Sequence, residues 1–121
     1  MQARRVELAL KAAADWNAIV ILKGYETIIA APDGPAYINS TGNPGMATGG
    51  TGDVLTGMLA GLTAQYGIDH WQQTLAFGVY LHGLAGDIAY AETGGAPLMA
   101  TDLIRCLPRA FRQFYSECGR G

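Results

Sequence analysis

The sequence has 121 residues, of which 50% are hydrophobic and 15% are charged, with a formal net charge of −2 and a pI near 5.5. A chain of this length forms one domain at most, and it is apolar enough to fill a core, which excludes a disordered chain. The slightly acidic balance argues against a nucleic-acid-binding surface, because such surfaces are normally basic.

The cysteines and the apolar stretches indicate a cytoplasmic protein without a membrane span. Cys106 and Cys118 have no histidine near them, so they fit neither a zinc site nor a disulfide framework, and they favour a reducing compartment. Residues 1–15 are charged and helical in period, unlike a signal peptide. Residues 73–91 are the longest apolar stretch, but they include a histidine and an aspartate and therefore predict a buried helix.

The first forty residues predict a helix followed by strands. Residues 3–15 form a run of good helix formers with apolar positions at helical spacing. Residues 18–22 are five consecutive apolar residues, a pattern typical of a strand buried on both faces. The runs 27–31 and 36–38 flank Pro32-Asp33-Gly34-Pro35, which is strong turn chemistry and predicts a hairpin at the sheet edge. A helix followed by a buried strand is one unit of an α/β sheet.

A helix is predicted over residues 53–66, after a glycine-rich loop. Gly57 and Gly61 lie inside it, and each weakens a helix by ~1 kcal/mol relative to alanine. We therefore expect these two glycines to permit the close approach of a neighbouring element.

Two more helices are predicted towards the C-terminus. Asp69 can cap a long helix over residues 70–92, whose many small residues suggest close packing, and Thr101 can cap a last helix. Pro108 is expected to break or restart that last helix. Only one convincing buried strand precedes these helices, so the order of elements predicts the closing half of an α/β domain.

The glycine-rich loop has the sequence Asn43-Pro44-Gly45-Met46-Ala47-Thr48-Gly49-Gly50-Thr51-Gly52-Asp53, with four glycines within eight residues. A glycine backbone can turn its N–H groups inward and form a concavity that binds anions. The helix that starts at the end of the loop adds unpaired amides and a positive dipole end. The stretch therefore predicts a phosphate-binding loop at a helix N-terminus.

Two familiar phosphate motifs are excluded by the spacing of this loop. The P-loop pattern would require a lysine where Thr51 stands. The dinucleotide-binding fingerprint would require its third glycine where Leu55 stands. What remains is a glycine-rich loop that carries a carboxylate, Asp53, in place of a lysine.

The residue types leave two interpretations of Asp53 open. The carboxylate could take a proton from a substrate hydroxyl while the amides hold a phosphoryl group. Alternatively, the loop could be an ordinary glycine-rich helix start, with Asp53 as a common first-turn charge.

A second candidate site follows the first predicted strand at Lys23-Gly24-Tyr25-Glu26-Thr27. Ligands of open α/β sheets bind at the carboxyl ends of the strands, where a lysine could meet phosphates and Gly24 could let the backbone approach a nucleotide. The alternative is a turn that ends a strand and carries a solvated lysine.

His82 and Asp87 lie in the long predicted helix, five residues apart. That spacing does not fit a shared ligand site at positions i and i+4, so hydrogen bonding inside the protein is the expected role. No cluster of metal-ligating residues is visible in the sequence.

These motifs resemble one family in order and in detail. The run Asn43 to Gly57 closely resembles the signature of the NAD(P)H-hydrate dehydratases, which are ribokinase-like enzymes. The resemblance continues through residues 20–24, 80–87 and 100–104 and so covers most of the chain. It implies an α/β, ribokinase-like fold, in which residues 1–121 would be the C-terminal half of a doubly wound sheet domain, with an edge hairpin and three to four helices.

The resemblance also implies a repair reaction, in which hydrated NADH or NADPH is converted back to NAD(P)H with ADP or ATP as co-substrate and Mg²⁺ expected. Asp53 would contact the hydrated cofactor and take the proton of its ring hydroxyl as that oxygen attacks the terminal phosphoryl group. The anion hole would consist of the amides of Gly49, Gly50, Thr51 and Gly52. The nucleotide contacts would be Lys23, Gly24, Tyr25, Glu26, Thr27 and Gly52.

Two other functions stay open beside the dehydratase. A ribokinase-like kinase for a small molecule would share the Gly-Asp core, and an inactive fragment would only bind nucleotide. Because a partial domain exposes a sheet edge and an apolar face, a homo-oligomer is expected.

Overall fold

The computed structural model describes residues 2–24 and 26–118. The chain forms two compact units, one ending at Ser40 and the other beginning at Thr41, and each is described by itself. The elements are α1 (Gln2–Trp16), β1 (Val20–Leu22), β2 (Ile28–Ala30), β3 (Tyr37–Ile38), a 3-10 helix (Pro44–Met46), α2 (Thr51–Tyr66), α3 (Trp71–Glu92) and α4 (Ala100–Glu117).

The first unit packs α1 against an antiparallel three-stranded sheet with the order β1-β2-β3. Its core contains Ala9 and Ala13 of α1 and Ile28 and Ala30 of β2, all of them buried. Because the helix residues at the contact are alanines, the helix can lie close to the sheet.

The predicted hairpin is confirmed, since β2 and β3 pair antiparallel with Ile28 opposite Ile38. The predicted strand at residues 18–22 forms as β1 but is only half-buried. Within the described residues β1 pairs with β2 alone and lies at the edge of the sheet, which explains its partial exposure.

The second unit is built around α3, which packs against both α2 and α4. Leu81 of α3 and Leu103 of α4 are fully buried in its core. The rings of Phe77 and Phe114 lie 4.9 Å apart and extend this core between the same two helices. The prediction of a buried helix is therefore confirmed. In the part of the chain that the structure describes, no helix combines the length and apolarity that crossing a bilayer requires.

Both predicted helix caps are wrong. The N-cap of α3 is His70 rather than Asp69, and it makes no side-chain capping bond. In α4, Thr101 lies inside the first turn, and the Asp102 carboxylate accepts the amide of Met99 at 2.9 Å. A carboxylate two or three positions inside the helix thus satisfies the N-terminal amide.

The expected break at Pro108 is also absent, because α4 runs through that residue. Cys106 and Ala110 on either side of the proline are fully buried, and this packing holds the helix in one piece.

The close approaches occur at glycines other than those expected in α2. At Gly57 and Gly61, no heavy atom of the described chain lies within 4 Å of where a Cβ would stand. The prediction for these two was wrong because they lie on the exposed side of α2. In α3, by contrast, a Cβ on Gly78, Gly83 or Gly86 would collide with a neighbouring residue, as the small residues of this helix predicted.

Candidate functional site

The glycine-rich loop passes directly into α2 through Gly50. This residue has φ 94° and ψ −22°, in the left-handed region that favours glycine. A Cβ at Gly50 would also stand 3.2 Å from the Cβ of Ala100, so both the backbone and the space favour glycine here. The helix then begins at Thr51, two residues before the predicted start.

The loop is held in shape by its own threonines. The Thr51 hydroxyl lies 2.7 Å from the carbonyl oxygen of Met46 and 3.0 Å from that of Thr48, and it donates to them. The Thr48 hydroxyl donates to the carbonyl of Leu98, and the Leu98 amide donates to the Gly45 carbonyl at 3.0 Å. Because the hydroxyl of Thr51 is already hydrogen-bonded inside the loop, the group with which Thr51 could bind an anion is its backbone amide.

Side chains of α3 hold both ends of the loop. Asp87 accepts the Gly42 amide through Oδ2 at 3.1 Å and the Asn43 side-chain amide through Oδ1 at 2.8 Å. His82 Nε2 lies 2.9 Å from the carbonyl oxygen of Thr51. These contacts confirm that His82 and Asp87 form hydrogen bonds inside the protein.

The start of α2 presents unpaired backbone donors. The first helical hydrogen bond runs from the Val54 amide to the Gly50 carbonyl at 3.1 Å, and no side chain caps the helix. The amides of residues 51–53 precede this bond and have no acceptor within the helix. Gly49 is exposed, and a Cβ there would meet no described atom within 4 Å. The unpaired amides of residues 51–53 therefore lie at a positive dipole end, and the exposed Gly49 precedes them in the loop.

Asp53 is the third residue of α2, and its side chain is exposed. No hydrogen bond or ion pair to its carboxylate occurs among the described residues. The carboxylate therefore belongs to the same first turn as the unpaired amides, and it is accessible to a group that could give up a proton.

The second candidate site lies in the first unit, at the turn after β1. Lys23 is exposed, Gly24 has φ 149° and the Thr27 hydroxyl donates to the Gly24 carbonyl at 3.0 Å. The guanidinium of Arg5 donates to the carbonyls of Glu26 at 3.3 Å and of Lys23 at 3.4 Å. The turn is thus held by α1 on one side and by its own threonine on the other.

The remaining predicted nucleotide contact, Tyr25, lies outside the described residues. Sequence reasoning missed Arg5, because a single arginine in α1 forms no motif with a turn some twenty residues away. Glu26 has φ 62°, a left-handed conformation that costs a non-glycine residue roughly 1–2 kcal/mol and that no sequence pattern indicated. The turn and the glycine-rich loop belong to different units.

Among the described residues, acidic, histidine and cysteine side chains do not gather at a common point. In the part of the chain covered by the structure, no three of them lie together as a metal-binding group. The groups that the described part of the loop offers are one carboxylate, that of Asp53, and backbone amides.

Comparison with protein families gives a match over most of the chain. A family model described as NAD(P)H-hydrate dehydratase matches residues 1–109. The bifunctional NAD(P)H-hydrate repair enzyme Nnr of Moorella thermoacetica is 50% identical over 117 residues. That alignment covers 97% of this chain and 22% of the relative.

Solved structures are similar as well. The crystal structure of the ADP/ATP-dependent NAD(P)H-hydrate dehydratase of Bacillus subtilis, co-crystallised with ATP and Mg²⁺, is 38% identical with a TM-score of 0.85. The match covers 93% of this chain and 40% of that one. A ribokinase-like superfamily protein of Enterococcus faecalis is 37% identical with a TM-score of 0.73, over 87% of this chain and 35% of that one. The predicted α/β, ribokinase-like fold class is therefore confirmed, and the chain spans less than half of these proteins.

Proposed function

This chain belongs to the NAD(P)H-hydrate dehydratase family, and we propose that it carries the phosphoryl-transfer loop of a nucleotide-dependent dehydratase that restores NADH and NADPH from their hydrates. The observation that supports this most is the exposed Asp53 carboxylate beside the unpaired amides at the start of α2. A carboxylate for the proton and amides for the phosphoryl charge are what the attack of a hydroxyl on a phosphate requires.

In the first step, Asp53 takes the proton from the hydroxyl on the reduced nicotinamide ring. The oxygen of that hydroxyl forms a bond to the terminal phosphorus of ADP or ATP, and the bridging phosphorus–oxygen bond breaks to release AMP or ADP. The amides of Gly49, Gly50, Thr51 and Gly52 donate to the phosphoryl oxygens. The positive dipole end of the helix N-terminus also stabilises the negative charge of these oxygens.

In the second step, the ring loses the phosphate that it has gained. The carbon–oxygen bond breaks, the phosphate leaves with the bonding electrons, and the adjacent ring carbon releases a proton as the double bond forms. Phosphate is a far better leaving group than hydroxide, which is why the nucleotide is consumed. Overall, hydrated NADH and ADP give NADH, AMP and phosphate. With ATP as co-substrate, the products are NADH, ADP and phosphate.

The co-substrate is ADP or ATP, with Mg²⁺. Mg²⁺ keeps several waters and binds through phosphate oxygens and one or two carboxylates, so the lack of a ligand cluster in the described residues fits an ion that arrives with the nucleotide. The proposed nucleotide contacts are Lys23, Gly24, Tyr25, Glu26 and Thr27, together with Gly52.

We also propose that residues 1–121 are one partial domain, the C-terminal half of a ribokinase-like dehydratase domain. The supporting observation is that the chain covers 40% of the Bacillus subtilis enzyme while matching it at a TM-score of 0.85. Such a part offers the unpaired side of β1 to a further strand, and we expect it to self-associate. Sedimentation velocity should show a dimer fraction that increases with protein concentration, whereas a monomer at every concentration would contradict this expectation.

The fate of the phosphoryl group tests the reaction. With hydrated NADH, Mg²⁺ and ADP or ATP, the chain should produce NADH, followed by its absorbance, and an equal amount of inorganic phosphate. A small-molecule kinase would instead accumulate a phosphorylated product without NADH. A fragment that only binds nucleotide would leave hydrated NADH unchanged. Accumulation of a phosphorylated product would defeat the proposal, and an inactive chain would defeat it if joining the chain to the remainder of the Bacillus subtilis dehydratase restored no activity.

A further inference from the structure

We propose that His82 and Asp87 of α3 are positioning residues that fix the two ends of the glycine-rich loop, so that Asp53 and the amides beside it keep one geometry. This inference deepens the proposed function and rests on it, since it concerns the residues that hold the loop proposed to perform the phosphoryl transfer. It also gives a role to the polar residues of the run Tyr80 to Asp87, which touch neither substrate nor nucleotide in the proposed mechanism.

Asp87 fixes the start of the loop. Each of its two carboxylate oxygens accepts one donor, the Gly42 amide at 3.1 Å and the Asn43 side-chain nitrogen at 2.8 Å. Because a carboxylate only accepts hydrogen bonds, the Asn43 amide must turn its nitrogen towards Asp87. Its oxygen is then buried without a partner among the described groups. The contact with Asp87 therefore fixes the orientation of the Asn43 amide at the start of the loop.

His82 fixes the end of the loop. The residue is only 9% exposed, and its Nε2 lies 2.9 Å from the carbonyl oxygen of Thr51. A carbonyl can only accept, so Nε2 carries the hydrogen and donates. Thr51 is the first residue of α2 and lies two residues before Asp53. The imidazole therefore fixes the orientation of the peptide group between Thr51 and Gly52. The position of the Asp53 carboxylate depends on this peptide group, because both belong to the first turn of α2.

The surface between the two side chains is shaped to receive the loop. A Cβ at Gly83 would stand 2.7 Å from the carbonyl carbon of Thr41, and one at Gly86 would stand 2.7 Å from the Cε of Met46. The Thr41 hydroxyl donates to the Tyr80 carbonyl at 2.9 Å on the same stretch of helix. Residues 82–87 of α3 thus contact the loop along their whole length and hydrogen-bond to it at both ends. This combination distinguishes a surface that positions the loop from ordinary core packing.

The test measures the loop itself by ¹⁵N relaxation, without substrate. The variants are His82→Leu, which removes the donor, His82→Gln, whose side-chain nitrogen can replace it, and Asp87→Ala. Thr74→Val is the matched control, because Thr74 is a buried polar residue of α3 whose hydroxyl donates to His70 rather than to the loop.

In the wild type and in Thr74→Val, the order parameters of residues 49–53 should stay near the rigid value of about 0.85, and His82→Leu and Asp87→Ala should lower them to about 0.6 or less. His82→Gln should recover most of the loss. If His82→Leu does not fold, the half-buried Asp87 decides through its own variant.

Order parameters that stay at the wild-type value in folded Asp87→Ala and His82→Leu would overturn the proposal, as would an equal loss in Thr74→Val. The same samples are then assayed with hydrated NADH and ADP·Mg²⁺. If the loop loosens in the variants, but the wild-type chain joined to the remainder of the Bacillus subtilis dehydratase produces no NADH, the dehydratase proposal fails and the positioning role stands. The two failures are therefore distinguishable.

Discussion

Asp53→Asn is expected to lower the turnover of hydrated NADH by about 100- to 10,000-fold, the usual contribution of a positioned acid or base. The amide has nearly the same size as the carboxylate but cannot take the proton of the ring hydroxyl. Because Asp53 is exposed and has no bonding partner among the described residues, the free energy of unfolding should change by less than about 0.5 kcal/mol. The measurement is kcat from NADH absorbance, with the thermal unfolding midpoint alongside.

Asp69→Asn is the matched control for this variant. Asp69 is also an exposed aspartate close to a helix start, but it precedes α3 and is not part of the glycine-rich loop. Asp69→Asn removes one negative charge, as Asp53→Asn does, but it should keep wild-type turnover. An active Asp53→Asn enzyme, or an equal loss in both variants, would show that the carboxylate of Asp53 is not the proton acceptor.

Gly83→Ala is expected to destabilise the second unit by about 1–3 kcal/mol, the range for overpacked cores. The added Cβ would stand 2.7 Å from the carbonyl carbon of Thr41, and a backbone atom cannot move aside as a flexible side chain can. The loop must shift away from α3 to make room. A lower midpoint of urea denaturation should therefore be accompanied by reduced turnover.

Gly61→Ala provides the opposite case. Gly61 lies on the exposed side of α2, and no heavy atom of the described chain is within 4 Å of its Cβ position. Alanine there should raise the free energy of unfolding by ~1 kcal/mol, because it is the better helix former. If both glycine variants shift the urea midpoint in the same direction, the packing of the loop on α3 has been misassigned.

The parts of the site that could be predicted are those with a local cause. A glycine-rich run followed by an apolar helical period identifies a loop that runs into a helix, and the structure confirms this for residues 43–66. The turn residues 32–35 identify the hairpin in the same way. Asp53 was singled out because a carboxylate in such a loop departs from the common phosphate motifs, and its catalytic role stays a prediction.

The features that escaped prediction depend on contacts far apart in sequence. His82 is 31 residues from its partner Thr51, and Asp87 is 45 residues from Gly42. The sequence shows that such polar residues need partners but not which partners they find. Pro108 shows the same limit, since packing by its buried neighbours outweighs the tendency of proline to end a helix.

The most direct test of the central proposal uses a chimera in which residues 1–109 replace the matching segment of the Bacillus subtilis dehydratase. The chimera should convert hydrated NADH to NADH with ADP or ATP and Mg²⁺, release phosphate in equal amount, and lose this activity on Asp53→Asn. A folded chimera that binds nucleotide but yields no NADH, or one that accumulates a phosphorylated product, would contradict the assignment of this chain as the catalytic part of a dehydratase.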